Sequence, residues 1–256
     1  MKKMSLIFLV SLVLVLSGCD QAVPPPIKSS PTHEMSTLEL NNSFKDNHAE
    51  NHLEIEGESF KLVTSYTSSY STADWKITAP KTISISAKIE GASDDVEVFM
   101  EHVHIDFSIA AGFAEKSEGM TDESFKNWQE LAEQIDGWKT DSMDDSFHGS
   151  GAAQPGFLIS NKYPYEEKFA VEGYGDRLTQ GWGQLYGYYT ATSFGYTSGS
   201  VSIKEDRITE ESLRFMGVYG NTMTVIYNLA IRNPGEEHYH IRAVEDHLFI
   251  PLPTQE

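Results

Sequence analysis

The chain has 256 residues, one cysteine and a formal net charge of −19 at pH 7. A strongly negative charge argues against nucleic acid, anionic phospholipid and anionic wall polymer as partners, because those partners need Lys and Arg. It favours solubility and suits cationic partners or divalent ions. A single cysteine excludes an internal disulfide framework and a thiolate metal cluster.

The first 19 residues have the organisation of a secretory signal. Lys2 and Lys3 supply a positive start, residues 6–16 are almost all apolar, and Leu16–Cys19 reads Leu-Ser-Gly-Cys. The apolar run is shorter than the roughly 20 residues that a transmembrane helix needs. The four-residue motif resembles the bacterial lipobox. The resemblance implies cleavage before Cys19 and a diacylglycerol on its sulfur.

Lipidation at Cys19 implies an anchor on the outer face of the cytoplasmic membrane, and a Gram-positive host is favoured by the spacer-like segment that follows. Two acyl chains hold firmly because each buried CH₂ contributes about 0.8 kcal/mol. Cleavage removes two lysines and no acid, which makes the net charge of the mature chain −21. No free thiol remains for catalysis.

Residues 1–18 are therefore predicted to be a signal peptide, 19–56 a lipidated, flexible linker, and 57–256 a single extracytoplasmic domain. Four prolines between positions 24 and 31 favour extended polyproline geometry in the linker. Its remaining residues are too polar to form a core. His48 and His52 are expected to be solvent-exposed.

The first half of the domain contains alternating patterns. Apolar and polar residues alternate over Thr82–Glu90, which predicts a half-buried strand with Ile83, Ile85, Ala87 and Ile89 on one face. A turn at Gly91–Asp95 and a longer strand at Val96–Ala110 follow. Residues 82–110 are predicted to form a hairpin.

One clear helix is predicted at about residues 121–136. Asp122 and Glu123 suit the positive end of the helix dipole, and Gly137 follows the last turn. Its apolar residues recur at helical spacing and are expected to face the core: Phe125, Trp128, Leu131, Ala132 and Ile135. Residues 208–217 fit either a short helix or a strand. Several strands with one helix predict a mainly β, α+β fold, an antiparallel β-sandwich-like domain.

A C-terminal hairpin is predicted with a specific register. Tyr227 and Ile231 lie on the apolar face of the first strand, and the apolar set of the return strand is Tyr239, Ile241 and Ala243. Pairing Ile231 with Tyr239 and Tyr227 with Ala243 places these residues on one face, with a three-residue loop centred on Gly235.

Two segments are candidate metal sites. On a strand, His102, His104 and Asp106 share one face, and two imidazoles with a carboxylate suit zinc or another divalent ion. The H-x-H spacing recurs at His238 and His240, and His247 follows. Residues 141–156 are predicted to be an acidic loop, in which the carboxylates of Asp141, Asp144 and Asp145 could ligate Ca²⁺. The EF-hand spacing is absent, which favours an acidic surface loop without metal over a calcium site.

The third candidate site is an aromatic, glycine-rich segment over residues 173–196. Glycine permits tight turns, and Tyr and Trp offer flat amphipathic surfaces that stack on sugar rings or peptides. The candidate binding residues are Tyr174, Trp182, Tyr186, Tyr188, Tyr189 and Tyr196.

The predicted function is that of a membrane-anchored binding protein with a cell-wall, carbohydrate or protein partner. The sequence contains no phosphate loop, dinucleotide fingerprint or H-E-x-x-H motif, and Ser150 lacks the G-x-S-x-G context because position 148 is His. Catalytic residues are therefore not assigned. The alternative function is a metal-binding protein or zinc-dependent enzyme that uses the His102/His104 strand.

Overall fold

The computed structural model describes residues 36–116, 121–147, 156–173, 210–215 and 217–253. Within those ranges the elements are, in chain order, α1 (Thr37–Asn41), β1 (His48–Glu54), β2 (Lys61–Ser68), a short 3₁₀ helix (Thr72–Asp74), β3 (Lys81–Glu90), β4 (Glu97–Ala111), α2 (Asp122–Ile135), β5 (Lys139–Ser146), β6 (Phe157–Leu158), β7 (Tyr165–Val171), α3 (Glu210–Phe215), β8 (Val218–Arg232) and β9 (His240–Pro251).

The strands form two antiparallel sheets that enclose one apolar core. The first sheet has the order β1-β2-β3-β7, and the second has the order β5-β4-β8-β9 with β6 beside β4. This confirms the predicted fold class, an antiparallel β-sandwich-like α+β domain. In the described part of the chain, no helix has the length and apolarity needed to cross a membrane.

Alternation predicted the core-facing residues of β3 correctly, and helical periodicity did so for three residues of α2, whereas Phe125 is only half-buried. Ile83, Ile85, Ala87 and Ile89 are all buried. In α2, Trp128, Ala132 and Ile135 belong to the same core, so this helix closes one end of the sandwich. Residues 210–215, whose pattern was ambiguous, are helical.

The predicted hairpin over residues 82–110 is wrong. β3 pairs with β2 and β7, whereas β4 pairs with β5, β6 and β8. The segment that includes Gly91, whose φ is 90°, carries the chain from the first sheet to the second. Both strands turn an apolar face toward the same core, so their patterns are the same whether they pair side by side or face each other.

The predicted register of the last hairpin is wrong by one residue. Ile231 pairs with His240, and Tyr227 pairs with Val244. Ile241, placed on the core face by the sequence pattern, is 50% exposed. The buried row of β9 instead contains Val244, Asp246, Leu248 and Ile250. The sequence pattern did not identify this row as buried, because it contains Asp246 and a carboxylate was not expected between the two sheets.

The folded part begins before the predicted boundary at residue 57. β1 pairs with β2 from His48↔Thr67 to Glu54↔Lys61, inside the segment assigned to the linker. His48 and His52 are exposed, as expected. β1 is the edge strand of its sheet and carries few apolar side chains, so its composition resembles that of a linker.

Candidate functional site

Strand β4 presents polar residues on its outer face, as the sequence predicted. His102, His104 and Asp106 lie on that face, while Val103 and Ile105 on the opposite face are buried in the core. Strand β5 pairs along β4, with Asp144 opposite His104. The outer face of the second sheet is therefore the place where the first predicted metal segment meets the second.

The predicted acidic loop is wrong over residues 141–146, because they belong to β5. Successive side chains of a strand point to opposite faces, so Asp144 lies on the face opposite to Asp141 and Asp145. The three carboxylates do not converge, which contradicts the calcium site predicted from them. The sequence missed this strand because its composition, rich in Asp and Ser, is unfavourable for a central strand and is tolerated at an edge.

The carboxylate of Asp144 contacts the imidazoles of both His102 and His104. Its Oδ1 atom lies 3.1 Å from Nε2 of His102 and 2.7 Å from Nδ1 of His104. Asp106 extends the cluster, with Oδ1 3.1 Å from Nε2 of His104 and Oδ2 2.6 Å from Nζ of Lys139. The His104–Asp106 contact lacks hydrogen-bond alignment, since Asp106 Oδ1 is buried without a hydrogen-bond partner among the described residues. The result is a row of alternating histidine and aspartate side chains that ties the edge strand β5 to β4.

Contacts within this cluster shift the pKa values of His104, Asp144 and Asp106. The hydrogen bond with Asp144 raises the pKa of His104 above its ordinary value, although partial burial opposes this. The same bond lowers the pKa of Asp144. For Asp106, burial favours the neutral acid, but Lys139 and His104 together outweigh it and lower the pKa. The ionised form of each group therefore stabilises the ionised form of its neighbour.

We expect the stabilising effect of this cluster to depend on pH. The folded-state pKa of His104 is raised, so its contribution is complete below about pH 6.5 and is lost as pH rises through the folded pKa. The folded-state pKa of Asp144 is lowered, so its contribution is present above about pH 3.9 and is lost as pH falls further. The melting temperature should therefore fall between pH 6 and pH 8 by more in the native chain than in His104→Gln. Equal pH profiles for the two proteins would contradict this prediction.

The geometry of the histidine pair does not favour a metal site. A zinc ligand needs a free nitrogen lone pair about 2.0–2.1 Å from the ion. Three of the four ring nitrogens have hydrogen-bond partners, because Nδ1 of His102 lies 3.2 Å from Nδ2 of Asn228, and Nε2 of His102 and Nδ1 of His104 contact Asp144. The fourth, Nε2 of His104, lies 3.1 Å from Oδ1 of Asp106. Among the described residues, no group of three or more His, Cys, Asp or Glu is arranged to hold a metal ion.

The second H-x-H segment lies elsewhere. His238 is exposed in the turn between β8 and β9. Nε2 of His240 lies 2.8 Å from Oε1 of Glu58, whose carboxylate also accepts a hydrogen bond from Nδ2 of Asn233 at 3.2 Å. Glu58 belongs to the turn of the first sheet, so His240 joins the two sheets at the end of the sandwich. The structure does not bring His238 or His240 to the His102/His104 pair.

His247 shares the outer face with the pair but lies two strands away. Thr224 on β8 pairs with both Asp106 on β4 and His247 on β9. Two interstrand spacings amount to roughly 9–10 Å. Nδ1 of His247 lies 3.2 Å from the hydroxyl of Thr224, and Nε2 lies 3.2 Å from Glu245. These contacts make His247 part of a polar surface and separate it from the pair.

A buried polar cluster, missed from the sequence, connects the two sheets. Asp246 is 1% exposed, and its Oδ2 accepts hydrogen bonds from the hydroxyls of Tyr66 and Thr64, both at 2.7 Å. Its Oδ1 accepts one from Nδ2 of Asn51 at 2.8 Å. The hydroxyls of Tyr66 and Tyr227 are 2.8 Å apart. Sequence reasoning had no signal for this cluster beyond an acid inside an alternating apolar strand.

The candidate binding residues Tyr174, Trp182, Tyr186, Tyr188, Tyr189 and Tyr196 lie outside the described residues. Their flanks are described. A β-carbon at Gly173 would overlap the backbone of Thr78, Ala79 and Pro80, so this close approach requires glycine. Oε1 of Glu210 accepts hydrogen bonds from the backbone N–H and the hydroxyl of Thr78, both at 2.7 Å. The two described residues that flank 174–209, Gly173 and Glu210, thus both lie against the same short loop, 78–80.

Comparisons with known proteins assign no family. No protein-family model matches the chain. No curated protein matches it. A crystal structure of a protein from Archaeoglobus fulgidus is similar over 75% of this chain and 94% of that chain, with 9% identity and a TM-score of 0.24. A similarity at this TM-score carries no argument about fold or function.

Proposed function

We propose that the chain is an extracytoplasmic lipoprotein whose β-sandwich domain binds a partner without catalysing a reaction. The anchor rests on the order of residues 1–19: two lysines, an apolar run and Leu-Ser-Gly-Cys. The apolar run is shorter than the roughly 20 residues of a membrane-spanning helix, so the lipid on Cys19 provides the attachment.

The binding proposal rests on one observation: the two residues that flank 174–209, Gly173 and Glu210, lie against the same loop. Gly173 lies against the backbone of loop 78–80, and Glu210 is hydrogen-bonded to Thr78 in that loop. Proteins commonly present binding loops from a rigid framework of strands, and both described flanks belong to such a framework. Its sequence alternates aromatic residues with glycine, which suits recognition by stacking.

The partner class we favour is an uncharged glycan of the cell wall. Tyr and Trp rings stack on the apolar faces of sugar rings, and hydroxyl groups supply hydrogen bonds at the rim. A net charge of −21 after cleavage disfavours teichoic-acid-like polymers and other polyanions. A protein partner is the competing outcome, because the same rings bind peptides.

The test uses the mature chain with Cys19→Ser and insoluble peptidoglycan that has been stripped of protein and anionic polymer. We expect the native sequence to cosediment with it. The variant Trp182→Ala/Tyr188→Ala should bind roughly tenfold more weakly, because each ring contributes about 0.5–1.5 kcal/mol. Tyr163→Ala is the matched control, since Tyr163 is 65% exposed and lies outside the segment.

Two outcomes would overturn the glycan proposal. In the first, the mature chain fails to cosediment with stripped peptidoglycan. In the second, Tyr163→Ala weakens binding as much as the double variant does. Retention on unstripped wall but not on stripped wall would assign the segment to a protein or anionic partner instead.

A further inference from the structure

A buried lysine lies at the base of loop 78–80. Lys81 begins β3 and is 5% exposed. Its Nζ lies 4.7 Å from the centre of the Trp75 ring and donates a hydrogen bond to the carbonyl oxygen of Ile77 at 3.4 Å. The Trp75 ring is itself fixed, because its Nε1 donates to Oδ1 of Asn221 on β8 at 2.9 Å. The ammonium group is therefore held inside the sheet framework, away from solvent.

The carboxylate of Glu210 is positioned by this charge and by the loop. Two carboxylates attract the ammonium group of Lys81, those of Glu210 and Asp141, and the effect of Glu210 is the larger. Oε1 of Glu210 accepts two hydrogen bonds from Thr78, whereas Oε2 is buried without a hydrogen-bond partner among the described residues. A buried carboxylate oxygen without a donor is costly unless a cation compensates for it. Arg214, one turn along α3, is a second cation that interacts with Glu210.

The two cations differ in where they titrate. Burial lowers the pKa of Lys81 to about 8, although Glu210 and Asp141 act in the opposite direction. Lys81 is therefore mostly charged at pH 7 and mostly neutral at pH 9. Burial also lowers the pKa of Arg214, but a guanidinium group stays protonated at both pH values. Between pH 7 and pH 9, Glu210 thus loses the attraction of Lys81 and keeps that of Arg214.

We propose that Lys81 is a positioning residue whose charge holds Glu210 against loop 78–80, and that Glu210 leaves the loop when Lys81 loses its proton. The two hydrogen bonds from Thr78 alone do not compensate for the buried Oε2 atom, so the carboxylate moves to solvent. This interaction involves described residues only. Its consequence for partner binding rests on the proposed function, because Glu210 flanks residues 174–209.

The test follows the γ-methyl NMR signal of Thr78, which does not exchange with solvent, in the mature chain with Cys19→Ser. We expect the signal to move with a midpoint near pH 8. Lys81→Met keeps the length of the side chain and removes the charge, so its Thr78 signal should not change between pH 7 and pH 9. Lys76→Met is the matched control, because Lys76 is an exposed lysine next to Ile77 and its loss should leave the native titration in place.

Glu210→Gln provides a second variant, which keeps an oxygen for Thr78 and removes the charge. Its Thr78 signal should not titrate near pH 8. The proposal is overturned if the signal is constant between pH 7 and pH 9 in the native sequence, or if it moves equally in Lys81→Met. Movement of native size in Glu210→Gln would also overturn it, because Lys81 would then act on Thr78 without Glu210.

The effect on binding is measured by cosedimentation with stripped peptidoglycan at pH 7 and pH 9. The native sequence should bind at least about fivefold more weakly at pH 9, the lower end of typical coupling between sites. Glu210→Gln should bind equally at both pH values, which controls for titration of the peptidoglycan itself. Equal binding by the native sequence, together with a titrating Thr78 signal, would overturn the link to the partner. Failure to bind at either pH would refute the proposed function and leave the Thr78 result standing.

Discussion

Replacing Asp246 with alanine is expected to destabilise the domain by about 3–5 kcal/mol. The substitution leaves the hydroxyls of Tyr66 and Thr64 and the amide of Asn51 without their shared acceptor inside the sandwich. Each buried donor that loses its partner costs about 1–3 kcal/mol. Urea denaturation followed by tryptophan fluorescence measures the loss as a lower midpoint with an unchanged m-value.

Glu245→Ala is the matched control for Asp246→Ala. It removes the neighbouring acid of the same strand, whose side chain is exposed on the outer face, and should change stability by no more than about 0.5 kcal/mol. A loss below about 1 kcal/mol for Asp246→Ala would show that the cluster contributes little to holding the two sheets together.

The tyrosines of this cluster should respond in a graded way. Burial raises the pKa of both Tyr66 and Tyr227 well above 10, so they act as neutral hydroxyls. Tyr66→Phe removes the link between Tyr227 and Asp246 while keeping the ring, and its cost should be about 1–2 kcal/mol, smaller than that of Asp246→Ala.

Cys19→Ala is expected to abolish lipid labelling and membrane attachment completely. The chain has no other cysteine, so no second thiol can accept the diacylglycerol. In the proposed anchor the acyl chains would supply the free energy of attachment, at about 0.8 kcal/mol per buried CH₂, and Cys19→Ala would remove it. The measurements are incorporation of radiolabelled palmitate and partition into the detergent phase, in a bacterium that processes lipoproteins.

Ser17→Ala is the control for Cys19→Ala, because it keeps a small residue before the proposed cleavage point and should retain the label. A native chain that carries a free thiol and no palmitate would refute the anchor. So would palmitate that persists in Cys19→Ala.

Local patterns predicted the features that depend on a single helix or strand, namely its position and which of its faces is buried. The helix at Asp122–Ile135 and the buried row of β3 follow from periodicity, because burial of one face selects apolar residues at 3.6-residue or two-residue spacing. The outer position of His102, His104 and Asp106 follows from the same rule. The rule did not identify β1 and β5 as strands, because edge strands tolerate polar and charged residues on both faces.

The candidate site shows the same division. The sequence placed His102 and His104 on one face of a strand, and the structure agrees. It could not assign their partner, because Asp144 reaches them only after β5 pairs with β4. The resulting hydrogen bonds engage three of the four ring nitrogens, two of them with the carboxylate of Asp144.

By itself the sequence determined the charge, the signal-like start with its Leu-Ser-Gly-Cys motif, and the burial of individual element faces. Only the tertiary structure decided which strands pair, that β3 and β4 belong to different sheets, and that Asp246 lies inside the sandwich beside Tyr66. The physical reason is that periodicity records whether a side chain is buried. Its neighbour across the sheet or across the core is set by contacts between residues far apart in the chain, and those contacts leave no local pattern.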